Sequence, residues 1–289
     1  MRKIAAIFLA SVLPLSSTAL NAKEPNMSEP QNTITMKTQV KQLLKSIETG
    51  DQKPVSYINP QKYIQHNLNV KDGLAGFGEI LSQLPKDSAK VNVVRTFRDG
   101  DYIFTHTDYN FFGPKIGFDI FRFENGLIVE HWDNLQQTAT KTTSGRSQID
   151  GPTKITNLDK TKENKTLVKN FVEDILLNGK VEKITNYIST KKYHQHNPNV
   201  ADGLDALGKA LAAMAKAGTP MTYEKSHIIL GEGNFVLSVA EGKFLGKHVS
   251  FYDLFRIENG KIVEHWDTIE EIIPKDKWQN KNRKFGFPK

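Results

Sequence analysis

The chain has 289 residues, 25% charged and 38% hydrophobic, an ordinary balance for a water-soluble protein of a length that allows two domains. Its formal net charge of +7 becomes +5 without Arg2 and Lys3 (7 − 2), and no Lys/Arg stripe interleaved with aromatics appears, which argues against a nucleic-acid partner. There is no cysteine, so disulfides, zinc ribbons, iron–sulfur ligation, a thiol nucleophile and a lipoprotein anchor are excluded.

Residues 1–22 have the pattern of a secretory signal: Arg2 and Lys3, a short apolar run from Ile4 to Leu15, then small residues with cleavage expected after Ala19 or Ala22. The run falls short of the roughly 20 residues that a membrane span needs. The expected destination is the periplasm or the extracellular space, with no membrane attachment after cleavage. Residues 35–137 form a first unit. Val40, Leu43, Leu44 and Ile47 have helical spacing, with Gly50 closing the helix. A short helix, Tyr63-Ile64-Gln65-His66-Asn67, a helix near 73–84 and strands at 91–97, 102–110, 116–123 and 127–135 follow. Residues 138–160 read as a linker around Asp150-Gly151-Pro152. Residues 161–270 repeat the first order of elements. A basic tail, 271–289, is expected to lie along a domain surface.

The repeat is visible directly. Lys62 to Leu74 matches Lys192 to Leu204, with His196 standing 196 − 66 = 130 residues after His66. Asp119 to Asp133 matches Asp253 to Asp267, where the offset is 267 − 133 = 134. Solenoid repeats run about 20–50 residues, so each copy is a whole domain. Helices followed by an antiparallel meander make each copy α+β, with a curved sheet around its helices enclosing one pocket.

Asn125-Gly126 and Asn259-Gly260 predict two-residue hairpin turns. Counting outward from a plain hairpin puts Asp119, Phe121, Glu130 and Trp132 on one face and Arg122, His131 and Asp133 on the other. The second copy then has Asp253, Glu264 and Trp266 against Arg256, His265 and Asp267.

Asp-x-Phe-Arg-x-x-Asn-Gly-x-Ile-Val-Glu-His-Trp-Asp, preceded by Tyr-x-Gln-His-Asn, resembles the SnoaL-like branch of the nuclear transport factor 2-like superfamily over about 35–137 and 162–270. That resemblance implies two tandem cone-shaped α+β barrels. It also implies a polyketide-cyclase type of chemistry, a lyase or isomerase in which an acid at the Asp133 and Asp267 positions serves as general acid/base. Those cyclases carry a His where this chain has Asp119 and Asp253. In the related limonene-epoxide hydrolases an Arg-x-Asp pair assists the acid. Here that strand offers His106-Thr107-Asp108 and Val239-Ala240-Glu241, without the Arg.

The expected catalytic set is Asp133, Asp267, His106, Asp108, Asp119 and Asp253. His106 and Asp108, two apart on one strand, are expected to converge on Asp133. The expected ligand contacts are His66, His196, Arg122, Arg256, His131, His265, Trp132, Trp266 and Glu241. The plainer alternatives are that Asp133 and Asp267 pair with Arg122 and Arg256, that His66 and His196 order the following turn, and that both tryptophans are packing. His66, His106, Asp108 and Asp133 are possible metal ligands, but no short ligand spacing supports a metal, and no cofactor is expected. Two functional readings follow. One is a cofactor-free acid/base enzyme for aldol-type condensation, cyclisation or isomerisation of a small apolar carbonyl compound. The other is a non-catalytic module for a small ligand or a protein. The copies are expected to pair as an intrachain pseudo-dimer, with the first copy the more active because Val239 replaces the imidazole of His106.

Overall fold

A computed structural model describes residues 29–84 and 88–288, with side chains from 36 onward; the segment read as a signal lies outside the described residues. Each copy opens with helices. In the first these are α1 (Glu29–Thr49) and α2 (Gly73–Gln83), with the two-residue strand β1 (Ile64–Gln65) between them. Four strands follow: β2 (Lys90–Asp99), β3 (Tyr102–Asn110), β4 (Pro114–Glu124) and β5 (Leu127–Gln137). The second copy has α3 (Thr161–Phe171), which runs into one π-helical stretch, Val172–Leu177, then α4 (Ile184–Tyr187), β6 (His194–Gln195) and α5 (Leu204–Lys216). Its sheet adds β7 (Thr222–Glu232), β8 (Phe235–Phe244), β9 (Lys247–Glu258) and β10 (Lys261–Glu271). The strand orders, β1-β5-β4-β3-β2 and β6-β10-β9-β8-β7, are the same. The chain is thus two tandem α+β cone folds. Among the described residues no helix is long and apolar enough to cross a membrane.

Each sheet has two apolar faces, which is why its central strands are buried almost without interruption. The inner face packs on the copy's own helices: Val40, Leu43 and Leu44 against Ile103, Phe121 and Phe123, and Val168, Phe171 and Val172 against Val236, Phe255 and Ile257. The outer faces share one cluster that joins the copies, with Phe97, Phe104, Phe118 and Trp132 against Phe235, Leu237, Tyr252 and Trp266. Trp132 and Trp266 are fully buried there. An aromatic of that size removes about 150–250 Å² from water, so each contributes roughly 4–6 kcal/mol at most.

The hairpin turns form as expected, with Asn125 and Gly126 at φ of 50° and 79°, and Asn259 and Gly260 at 49° and 69°. The register beyond them differs from a plain count. Phe123 pairs with Ile128, but Arg122 pairs with Glu130, so Val129 is a bulge; Val263 is its counterpart. A single extra residue turns every later side chain of that strand over. Asp119, Phe121, His131 and Asp133 therefore share the inner face, while Arg122, Glu130 and Trp132 take the outer one. The faces read from the sequence are corrected accordingly, and likewise for Asp253, His265 and Asp267 against Arg256, Glu264 and Trp266.

The segments after the two sheets cross over. His66 Nδ1 donates to the carbonyl of Arg283 (2.6 Å), and Phe287 stacks on Trp132. His196 Nδ1 donates to the carbonyl of Ser147 (2.6 Å), and Trp266 Nε1 donates to that of Asp150. Each copy is thus strapped by the segment that follows the other copy's sheet. Arg95, beneath the first strap, donates to the carbonyls of Ile149, Asp150 and Pro152.

Candidate active site

The parallel bridge of β1 to β5 puts Gln65 beside His131, and β6 puts Gln195 beside His265. Residues two apart in an extended segment face the same way. Tyr63, Gln65 and Asn67 accordingly all line the inner pocket of the first copy, beside Asp119, His131 and Asp133. Leu43, Ile47, Phe77, Ile80 and Phe121 give the cavity apolar walls, and its volume is about 100 Å³.

The polar floor is tightly wired. Gln65 Oε1 accepts the Asn67 backbone N–H (2.8 Å), which fixes the amide orientation. His131 Nδ1, 3.0 Å from the same oxygen, must therefore carry a proton. Its Nε2 lies 3.3 Å from Asp119 Oδ1. The other Asp119 oxygen accepts from Tyr109 (2.7 Å) and Thr105 (3.2 Å). Asn67 Nδ2 donates to Asp133 Oδ2 (2.6 Å), whereas Asp133 Oδ1 is buried and has no hydrogen-bond partner. The nearest cation is Lys284, 3.8 Å from Oδ1 and also paired with Glu270.

The second copy repeats this wiring. Gln195 Oε1 accepts from Asn197 N and from His265 Nδ1 (2.8 Å), His265 Nε2 meets Asp253 Oδ1 at 3.0 Å, and Asn197 holds Asp267 Oδ2. The phenol comes from elsewhere. Gly242 stands where the first copy has Tyr109, and Tyr223, its partner across β7 and β8, donates to Asp253 instead. Burial, reinforced by the neighbouring aspartates, raises both phenols well above their ordinary range, so both are donors. Burial raises Asp267 too. Burial works to lower His265, but its hydrogen bond to Asp253 and the charges of Asp267 and Asp253 outweigh it and raise it.

Several residues expected in the site lie elsewhere. His106 and Asp108 point to the outer face, because Thr105, Thr107 and Tyr109 take the inner one. His106 is fully buried, stacks on Phe118 and meets Arg95 at 3.1 Å. It does not converge on Asp133. Val239, its counterpart, sits in the same inter-sheet cluster. Glu241 lies beside His227 (3.5 Å) and His248 (3.8 Å), not beside Asp267. Arg122 pairs with Glu130 and Glu124, and Arg256 with Glu264 and Glu258, so neither pairs with the site aspartates. His66 and His196 bond to Glu130 and Glu264 and stack on Trp132 and Trp266, on the outer face of each sheet. Sequence reasoning missed Tyr63, Gln65 and Asn67, although their period of two within Tyr-x-Gln-His-Asn was a usable signal.

The residues that the structure does bring together are Asp119, His131 and Asp133, and Asp253, His265 and Asp267. Within each trio the potential ligand atoms lie within 4.8 Å of one another.

No known family's sequence profile matches the chain, and no curated protein matches it. Solved structures do. An NTF2-like protein of unknown function from Burkholderia xenovorans is 14% identical, with 39% of this chain and 91% of that one covered and a TM-score of 0.35. A candidate polyketide cyclase from Streptomyces antibioticus, IdmH, is 16% identical over 35% of this chain and 91% of that one, with a TM-score of 0.30. A candidate ketosteroid isomerase from Kribbella flavida is 12% identical over 42% and 91%, with a TM-score of 0.32. Each match covers between 35% and 42% of this chain. Residue roles in this chain therefore rest on its own geometry.

Proposed function

We propose that the first copy is a cofactor-free general acid/base site for a small apolar carbonyl compound, acting by enolisation as in aldol-type condensation, cyclisation or isomerisation. The observation that carries this reading is Asp133 Oδ1, a buried carboxylate oxygen in an apolar-walled cavity with no hydrogen bond to occupy it. A base must have a free lone pair aimed at substrate, and Asn67 on the other oxygen holds the carboxyl in place. The Asp119–His131 pair holds a proton beside it, available to the carbonyl oxygen as charge develops. The cavity volume, about 100 Å³, accommodates a reacting group of a few heavy atoms. The reading takes the two copies as one intrachain pseudo-dimer, supported by the shared aromatic cluster, and the chain as exported by its first 22 residues.

The test is α-proton exchange followed by NMR in deuterated buffer, with cyclohexanone and acetylacetone as probes. The protein is recovered from the export fraction, where an N-terminus at Leu20 or Lys23 checks cleavage. The expected result is catalysed exchange that Asp133→Asn lowers by about 10² or more, while Asp267→Asn retains most of it. Exchange equal in wild type and Asp133→Asn, with both folded, would overturn the catalytic reading. Probe binding without exchange would then favour the non-catalytic alternative.

A further inference from the structure

We propose that the Asp253–His265–Asp267 cluster of the second copy is a site for a divalent transition-metal ion. His265 Nε2, one Asp253 oxygen and Asp267 Oδ1 are its protein ligands.

The first argument is orientation. The imidazole and one of the two carboxylates are held by their far atoms, as metal-binding side chains characteristically are. Gln195 holds His265 Nδ1 and Asn197 holds Asp267 Oδ2, while the Tyr223 hydroxyl stands 3.2 Å from both Asp253 oxygens. His265 Nε2 and Asp253 Oδ1 are already 3.0 Å apart, the ligand-to-ligand spacing that bonds of about 2.0–2.2 Å produce at the near-right angles of octahedral coordination. Asp267 supplies the third position, all three potential ligand atoms lying within 4.8 Å of one another.

The second argument is an unmet demand. Asp267 Oδ1 is buried and has no hydrogen-bond partner, in a residue only 7% exposed. A buried carboxylate oxygen in that state costs free energy that a cation would recover.

The third argument is charge, and it separates the two copies. In the first, the ammonium of Lys284 stands 3.8 Å from Asp133 Oδ1. Lys284 follows Arg283, whose carbonyl caps His66; Gln148 follows Ser147, whose carbonyl caps His196. The counterpart of the lysine is thus a neutral amide. Among the described residues no Lys or Arg pairs with Asp253 or Asp267, and two buried carboxylates face one imidazole. A divalent ion balances two carboxylates and a neutral imidazole. The ligand types suit zinc, manganese or iron(II), and no thiolate is present to select a softer ion. The proton now shared between His265 and Asp253 leaves to solvent as the ion binds. Sequence spacing concealed the trio, because its members come from two strands.

The proposal is independent of the acid/base reading of the first copy. It is tested on untagged, leaderless protein stripped with chelator, then titrated calorimetrically with Zn²⁺ and with Mn²⁺ and followed in the visible spectrum with Co²⁺. One ion per chain is expected, bound at least tenfold more weakly by Asp267→Asn and unchanged in Asp133→Asn. Gln148→Lys, which introduces the ammonium of the first copy, should weaken binding tenfold or more, and it keeps the trio intact should Asp267→Asn fail to fold. No binding in the micromolar range, affinity unchanged in either second-copy variant, or loss of the ion in Asp133→Asn would overturn the assignment.

Discussion

Arg95 is the side chain whose removal should cost the pairing of the copies most. It is 2% exposed and lies 4.5 Å over the ring of Trp266. Its guanidinium donates to the carbonyls of Ile149 (2.8 Å), Asp150 (2.5 Å) and Pro152 (2.9 Å), and contacts His106 Nδ1 (3.1 Å). Burial lowers its pKa to about 10, so it remains charged at neutral pH. Arg95→Met keeps the apolar stem but abandons all three carbonyls. Hydrogen bonds to a charged group net about 1.5–3 kcal/mol each. The strap is close to water and can rehydrate, so the lower figure applies, giving a loss of roughly 4–5 kcal/mol. For a chain of this size that is a fall of roughly 10–15 °C in Tm. Differential scanning calorimetry on the full chain is the assay. Arg95→Lys should recover less than half, because the three carbonyls are met by three separate nitrogens of a planar fork, positions that one ammonium nitrogen cannot occupy together. A Met variant within about 3 °C of the parent, or a Lys variant equal to it, would refute the reasoning.

Burial, helped by the charge of Arg95, holds His106 well below its ordinary pKa of 6.5. The unfolded chain thus takes up a proton there that the folded chain refuses, so stability declines as pH drops below about 6.5, by up to about 1.4 kcal/mol per pH unit. Urea unfolding at pH 7.5 and 5.5 should show a drop about 1 kcal/mol smaller in His106→Val, which carries the second copy's residue; equal drops would remove this role. Deleting residues 279–289 uncovers His66 and Trp132 but leaves His196 and Trp266 strapped. Hydrogen exchange should accelerate around 64–67 and 128–134 and not around 194–197, and equal acceleration in both copies would count against exchanged straps.

What was legible in the sequence was whatever rests on local chemistry. Asn-Gly turns, helical spacing and the duplicated motifs are short-range signals, and the α+β order follows from them. The faces of the site strands were not legible, because a bulge at Val129 or Val263 leaves no mark in composition yet turns His131 and Asp133 over. For the same reason His106 looked like a site residue. Its strand has two apolar faces, and period-two alternation says which residues travel together without saying which face holds the pocket. That each strap crosses to the other copy escaped notice because Arg283 and Ser147 act through backbone carbonyls, which any residue supplies.

The exchanged straps also set an order of assembly. The only ammonium near Asp133 among the described residues belongs to Lys284, close to the end of the chain. During synthesis the first copy can collapse around its own core long before that lysine exists. Its pocket then holds an uncompensated carboxylate until the second copy has folded and its final segment has crossed over. A chain clipped near the C-terminus keeps every residue of the first cavity and still lacks its counter-charge. Completeness of the chain thus becomes a condition for the first site, although the lysine concerned lies outside that site's own domain.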